Sequence, residues 1–285
     1  MMADRINILK NFSRKFYNNY PFPHFEIVKM YDEKTYSIFE SDYRLILEKF
    51  KQDEKYNYNN IRIQFNGEEI LKNEDFKKTI WFDFIKFHTS LDFFKQIIEI
   101  FYDDIIKYYP KIKNSLNDIE YSKSNFLNLR NNKDLLKNKN YDYVIDCQPG
   151  INTPVKTLSA VRGAHVDNPV ELIGGLAYFR DQNDNSNGGD LILYGRKNNN
   201  IYFKDKAEVD NIDDLIPVKK IEYKKNHCVF FINSEQSIHS ITQRSVTQTP
   251  RYLVNFIIEK YNNNQFFKIK RKNFLQKILN NLIKV

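Results

Sequence analysis

Apolar residues recur along this chain with two different spacings, and the change between them falls near residue 140. Before it the spacing is helical. In LDFFKQIIEIFYDDIIKYYP, Phe94, Ile97, Ile98, Phe101, Ile105 and Tyr108 recur at intervals that place them on one helix face. Thr89-Ser90-Leu91-Asp92 in front of it resembles a capping box, with Asp in place of the usual Glu or Gln. Pro110 stops the helix, because its ring clashes with the preceding turn and it has no N–H to donate. Asp32 is placed to cap another helix through DEKTYSIFE, its carboxylate accepting orphan N–H groups of the first turn. Between these helices, NIRIQF (60–65) reads as a short strand ending in a turn at Asn66-Gly67.

After residue 140 the apolar runs become short and rich in β-branched and aromatic residues: YDYVIDCQ, IGGLAYF, DLILYG, HCVFFIN and RYLVNFIIE. Turn-forming segments such as RDQNDNSNGG and RKNNN lie between some of them. Strands at this spacing predict a β-sandwich, jelly roll or barrel. From about 266, FFKIKRKNFLQKILNNLIKV returns to a basic amphipathic helical pattern. Its apolar positions are expected to cover the sheet, with a membrane-surface helix as the alternative. No internal repeat is visible. The expectation is one domain over 1–285: a mostly helical part at 1–139, a β core at 140–262 and a C-terminal helix at 263–285.

Composition narrows the class. The 285 residues are 41% hydrophobic and 15% aromatic, enough to bury a real core. No window approaches the roughly 18 apolar residues of a membrane span, and MMADRINILKNF lacks the apolar stretch of a signal peptide. Cys147 and Cys228 have no metal-type spacing and read as buried thiols of a reducing compartment. A cytoplasmic enzyme fits these features. The net charge of +8 raises the question of an anionic partner. Its densest stretches, Lys111 to Lys113, Lys219 to Lys225 and Lys268 to Lys272, are diluted by apolar residues or Asn, so a solvated lysine-rich surface is the simpler reading.

Candidate chemistry is concentrated in the β-rich part, which holds His165, His227 and His239. In SAVRGAHVDNPVEL, His165 and Asp167 are two residues apart, and on an extended strand i and i+2 project from the same face. An imidazole and a carboxylate on one face can bind one metal ion, and a second histidine from a neighbouring strand completes the set. Two His and one carboxylate leave three positions of an octahedron open, the arrangement of non-haem Fe(II) oxygenases. Alone, H-x-D equally describes a hydrogen-bonded pair at a strand end. HCVFFINSEQSIHSI brings His239 to the start of an extended segment, and Arg251 opens RYLVNFII twelve residues later. A guanidinium beside the core needs a carboxylate partner. That partner is either an internal Asp or Glu, or the free end of a dicarboxylate that chelates the metal at its other end.

The stretch from about 140 to 260 resembles the 2-oxoglutarate/Fe(II)-dependent dioxygenase superfamily, and particularly its prolyl-hydroxylase-like branch. His165, Asp167, His239 and Arg251 match the family pattern in order and spacing. Asn187-Gly188-Gly189-Asp190-Leu191 is similar to its Gly-Gly-acidic-apolar turn, and PFPHFEIVKMYDEKTY to its lead-in of strand and helix. The resemblance implies a double-stranded β-helix core (a cupin-like jelly roll) with flanking helices. It implies Fe(II) on His165, Asp167 and His239, with Arg251 on the distal carboxylate of 2-oxoglutarate. O2 is then consumed, succinate and CO2 are released, and an unactivated C–H bond is hydroxylated. Asp167 argues against a halogenase, which lacks the carboxylate.

Some positions depart from the family. A Ser often found two residues after the arginine is Leu253 here, so Tyr178 or Tyr143 is a candidate for the missing cosubstrate contact. The nucleic-acid repair branch has a second arginine where this chain has Ile257, so nucleic acid is not the expected partner. His227 lies 24 residues before Arg251, too far for the usual adjacent-strand arrangement, while His24 reads as structural and His88 as a packing or surface histidine. The expected substrate is a small molecule or a residue of a polymer, approached by the loop QPGINTPVKTL (148–158). Lys156 and Arg162 could attract an anionic group there, although solvent-facing charge is the simpler reading. Two other classes stay open: a non-catalytic jelly-roll binding domain, and a cupin-type metal enzyme without 2-oxoglutarate.

Overall fold

Alternation along the strands divides the second half of the chain between two cores. A computed structural model describes residues 5–117, 121–130, 141–261 and 265–272. The strands are β1 (Tyr17–Asn18), β2 (His24–Ile27), β3 (Arg62–Gln64), β4 (Leu127–Leu129), β5 (Tyr143–Asn152), β6 (Glu171–Tyr178), β7 (Leu191–Arg196), β8 (Leu215–Ile221), β9 (His227–Ile232), β10 (His239–Ile241) and β11 (Arg251–Lys260). An eight-stranded sheet runs β1-β2-β9-β6-β11-β5-β3, with β4 also paired to β5. A second sheet has the order β10-β7-β8.

Successive residues of a strand point to opposite faces. On β11, Tyr252, Val254, Phe256 and Ile258 therefore join the helices in the larger core. Leu253 faces the other way, with Leu176, Tyr178, Val229 and Phe231 of the same sheet, against Leu191, Leu193, Ile221 and Ile241 of the smaller one. The layers are thus helices, large sheet and small sheet. This is a sheet-rich α+β arrangement with two sheets face to face, and the expected helical layer lies on one side of it.

Four helices follow from local signals. Helix α1 (Glu33–Lys51) begins where Asp32 accepts the Thr35 N–H at 2.8 Å, as its sequence predicts. Asn66-Gly67 is not a simple turn. It opens α2 (Gly67–Lys72), with Asn66 and Glu69 forming a reciprocal capping box. Helix α3 (Ile80–His88) is followed at once by α4 (Leu91–Tyr108), which ends ahead of Pro110 as expected. The cap of α4 is Ser90, one residue later than the capping-box spacing suggested. Thr89 instead returns its hydroxyl to the Ile85 carbonyl at 2.8 Å, so the TSLD segment serves two helix ends.

The helix expected over 263–285 does not begin within residues 265–272. There the backbone bonds outward, Phe266 N–H to Pro169 O at 2.8 Å and Lys270 O from Phe203 N–H at 2.9 Å. Phe266 stacks near Tyr109, which is incompatible with a detached helix at this point. The rest of that expectation, residues 273–285, lies outside the described residues. Among the described residues, no helix is long and apolar enough to cross a membrane.

His88 ties Ile8 to this core. It is fully buried, donating from Nδ1 to Phe84 O and accepting the Ile8 N–H on Nε2 at 3.2 Å. Burial pulls its pKa down from 6.5 to about 3. The unfolded chain therefore takes up this proton more readily than the folded one, and stability falls as pH drops through that window. Urea unfolding of wild type should weaken by up to about 1.4 kcal/mol per pH unit from this group. His88→Gln, which keeps a donor and an acceptor, should show a correspondingly shallower dependence.

Candidate metal centre

One pair of backbone hydrogen bonds brings the two distant histidines together. His165 and His239 exchange N–H···O=C bonds, each 2.9 Å, across an antiparallel bridge. Their rings are 4.3 Å apart between centroids. A second bridge, to Glu208, holds the other side of His165. Alternation then sends Ala164 and Val166 into a small apolar cluster with Ile201, Phe203 and Val209, leaving His165 and Asp167 to face the opposite way. The Asp167 carboxylate lies 3.6 Å from His165 Nε2 and 3.7 Å from His239 Nε2. One potential ligand atom from each of the three residues lies within 4.8 Å of the others.

The protonation pattern suits a metal. His165 Nδ1 donates to Gly163 O at 2.7 Å, and His239 Nδ1 donates to Ser237 O at 2.9 Å. With Nδ1 carrying the hydrogen, the lone pair of each neutral ring is on Nε2, turned to Asp167. Burial, with help from His165, lowers the His239 pKa to about 4, which keeps that ring neutral. Burial alone would raise the Asp167 carboxyl, but His239, His165 and Arg162 more than offset it and hold it well below the usual range.

These groups line a cavity of about 380 Å³. Leu176, Leu191, Phe231 and Ile241 give it apolar walls, while Arg62 and Arg162 bring positive charge. Ile257 adds a further apolar side chain to the wall.

Arg251 is buried among groups that position it without neutralising it. Its guanidinium lies 4.9 Å from the ring centroids of both Tyr178 and Tyr223. Nη1 donates to Asn152 Oδ1 at 3.2 Å, while Nε and Nη2 have no hydrogen-bond partner among the described residues. The internal acid that might have paired with it, Asp184, is bound by Arg244 at 2.7 Å. The Gly188-Gly189 turn closes over this arrangement. Both glycines have positive φ, +83° and +79°, and a Cβ on Gly189 would sit 3.3 Å from Arg251 Cδ and Nε.

Of the two tyrosine candidates, the structure brings Tyr178 to Arg251 and leaves Tyr143 away from it. Tyr178 is the cross-strand partner of Leu253, the position where a serine was missing, and its ring lies 4.9 Å from the Arg251 guanidinium. That hydroxyl is buried without a partner among the described residues. Tyr143 has the opposite parity on β5 from Asn152. It packs with Phe94 and Phe126 in the helix-side core and hydrogen-bonds Ser115 at 3.0 Å. His227 is also apart from the triad, its Nε2 3.6 Å from Glu26. His24 donates to Phe22 O from a buried position, as its structural reading anticipated. Sequence reasoning missed Arg62, Asn152, Tyr223 and Arg244. The polar alternation Asp146, Gln148, Asn152 was a usable signal for one of them. The others depend on register between strands far apart in sequence.

No protein-family model matches the chain, and no curated protein matches its sequence. Solved structures similar to it include a Pseudomonas putida prolyl-4-hydroxylase, 9% identical, with 91% of this chain and 98% of that chain covered and a TM-score of 0.43. A Trichoplax adhaerens prolyl hydroxylase in complex with a hypoxia inducible factor peptide fragment is 12% identical, covering 90% and 88%, with a TM-score of 0.42. A Phytophthora capsici prolyl 4-hydroxylase is 12% identical, covering 91% of this chain and 64% of that one, also at 0.42. These are proteins of the branch that the motif spacing resembled. At such identities the roles of individual side chains rest on the geometry of this chain.

The glycine turn supplies a direct check. A Cβ on Gly188 would fall 1.8 Å from the Gln243 carbonyl oxygen, in addition to the unfavourable φ. Gly188→Ala should lower the unfolding free energy by at least about 2 kcal/mol in urea titrations.

Proposed function

We propose that the chain is an Fe(II)- and 2-oxoglutarate-dependent oxygenase, with a double-stranded β-helix core in a single domain. The observation that carries this reading is the His165, Asp167 and His239 cluster lining one cavity, its imidazoles fixed with Nε2 free, together with a buried Arg251 that has no ion pair among the described residues. Two imidazoles presenting Nε2 and one carboxylate suit ferrous iron and leave coordination positions open. The unpartnered donors of Arg251 and the Tyr178 hydroxyl suit a carboxylate.

Bound there, Fe(II) and 2-oxoglutarate would supply the power to insert one atom of O2 into a C–H bond, with succinate and CO2 as the other products. His165 and His239 hold the metal side through Nε2, while the Gly163 and Ser237 carbonyls keep their rings in the required tautomer. Asp167 contributes the negative charge. Arg251 orients the cosubstrate through its distal carboxylate, and Leu176, Leu191 and Ile241 limit water around it. The molecule hydroxylated is a small molecule or a polymer residue.

Anaerobic addition of Fe(II) and 2-oxoglutarate should produce a visible metal-to-ligand charge-transfer band. His165→Ala and Asp167→Ala should remove it and cut succinate formation by more than about 100-fold, beyond the loss typical of a ligand's supporting partner. Retention of both signals in either variant would refute the metal assignment. Arg251→Leu should keep metal binding but weaken 2-oxoglutarate binding and abolish 2-oxoglutarate-driven turnover. A metal-dependent reaction that survives this change would instead indicate a cupin-type enzyme without cosubstrate. A wild-type protein whose melting temperature responds to neither metal nor 2-oxoglutarate would be a binding domain.

A further inference from the structure

Polar side chains on the inner face of the large sheet fall into two groups that differ in how they are satisfied. Toward one end, Gln64 and Asn255 both donate to Gln148 Oε1, and Gln148 donates to Asp146 at 2.7 Å. Asp146 also accepts the backbone N–H groups of Gly67 and Cys147. This chain of bonds needs no ligand. One step along the same strands, the pattern reverses. Arg251 Nε and Nη2, Arg62 Nε, Asn152 Nδ2 and the Tyr178 hydroxyl are all buried donors without partners among the described residues.

These donors converge. Asn152 is in register with Arg251 on β11 and with Arg62 on β3, so the three stand side by side across neighbouring strands with the same parity. Tyr178 comes from the strand on the other side of β11. Arg62 and Arg251 make no ion pair among the described residues. Burial, and next the charge of Arg251, pull the Arg62 pKa down to about 10, while Tyr178 and Asp167 act in the opposite direction. Arg62 also lines the cavity that contains the triad. Two arginines aligned through Asn152 on neighbouring strands, neither with an ion pair among the described residues, favour an anion at this place.

We infer that Arg62 and Asn152 complete a two-arginine cradle with Arg251 and Tyr178, and that Arg62 is a second cationic ligand for the distal carboxylate of the cosubstrate. This rests on the oxygenase reading above, which by itself assigns that carboxylate to Arg251. A guanidinium placed for stability would have its own acid, as Arg244 has Asp184. Arg62 has no ion pair among the described residues, and the charge of Arg251 disfavours its own.

Binding of 2-oxoglutarate can be measured by calorimetry in the presence of Mn(II), which occupies the site without turnover. Free Mn(II), followed by electron paramagnetic resonance, reports independently on the triad. Arg62→Leu should weaken 2-oxoglutarate about ten- to hundred-fold, as expected for losing hydrogen bonds to a charged group, while Mn(II) affinity stays unchanged. Arg62→Lys, with the charge but not the planar fork, should fall between. The ligand-free melting temperature of Arg62→Leu should equal or exceed that of wild type, because a repulsion has been removed. Binding within about two-fold of wild type in both variants would overturn the assignment and leave the oxygenase reading intact. A large fall in the ligand-free melting temperature would also overturn it, marking Arg62 as structural. Failure of wild type to bind 2-oxoglutarate with Mn(II) in place would instead remove the oxygenase reading, and the cradle with it.

Discussion

The site depends on the reciprocal backbone bonds between His165 and His239. Side-chain contacts alone would not fix two imidazoles at this separation, because each ring can turn about its own bonds. An antiparallel bridge sets the spacing of the two Cα positions, and the Gly163 and Ser237 carbonyls then set the rotation of each ring. Asp167 follows from alternation, two residues along the same extended backbone. The donor set is therefore prepared by main-chain geometry, and a metal would find its ligands already oriented.

Charge is distributed with the same economy. Arg244 and Arg251 both lie near the Tyr223 ring, at 5.8 and 4.9 Å, yet only Arg244 is given an internal carboxylate. Tyr223 also accepts the Tyr252 N–H on its hydroxyl and donates its own backbone N–H to Asp190. One aromatic ring thus links a neutralised arginine, an unneutralised one and the Gly188-Gly189 turn that precedes Asp190. A buried ion pair fixes Arg244 here, while the adjacent guanidinium has no ion pair among the described residues.

Much of this was legible along the chain, and the physical reason is locality. The apolar runs that predicted strands are the observed β5, β6, β7, β9 and β11, and Asp32 and Pro110 mark helix ends as their chemistry requires. H-x-D and the distal histidine were readable because period-two alternation puts ligands two residues apart on one face. Errors arose where a local signal had two outlets. Asn66-Gly67 has turn chemistry, but Glu69 three residues after Asn66 makes it a capping box. Thr89 and Ser90 can both cap, and the termination of α3 took the first of them. Tyr143 was a plausible hydroxyl until strand parity put it on the helix side. Arg62 could not be found from sequence, since its meaning comes from register with Asn152 across strands some 90 residues apart (152 minus 62).

The bridge between His165 and His239 spans 74 positions of chain (239 minus 165). An ion coordinated by both rings would act on that interval as a reversible cross-link. Closing so long a loop costs entropy, and a bond that closes it repays part of that cost only when both ends are in place. The small sheet lies wholly within or at the edge of this interval, β7, β8 and β10 included. Metal supply would thus govern how firmly that sheet closes over the large one.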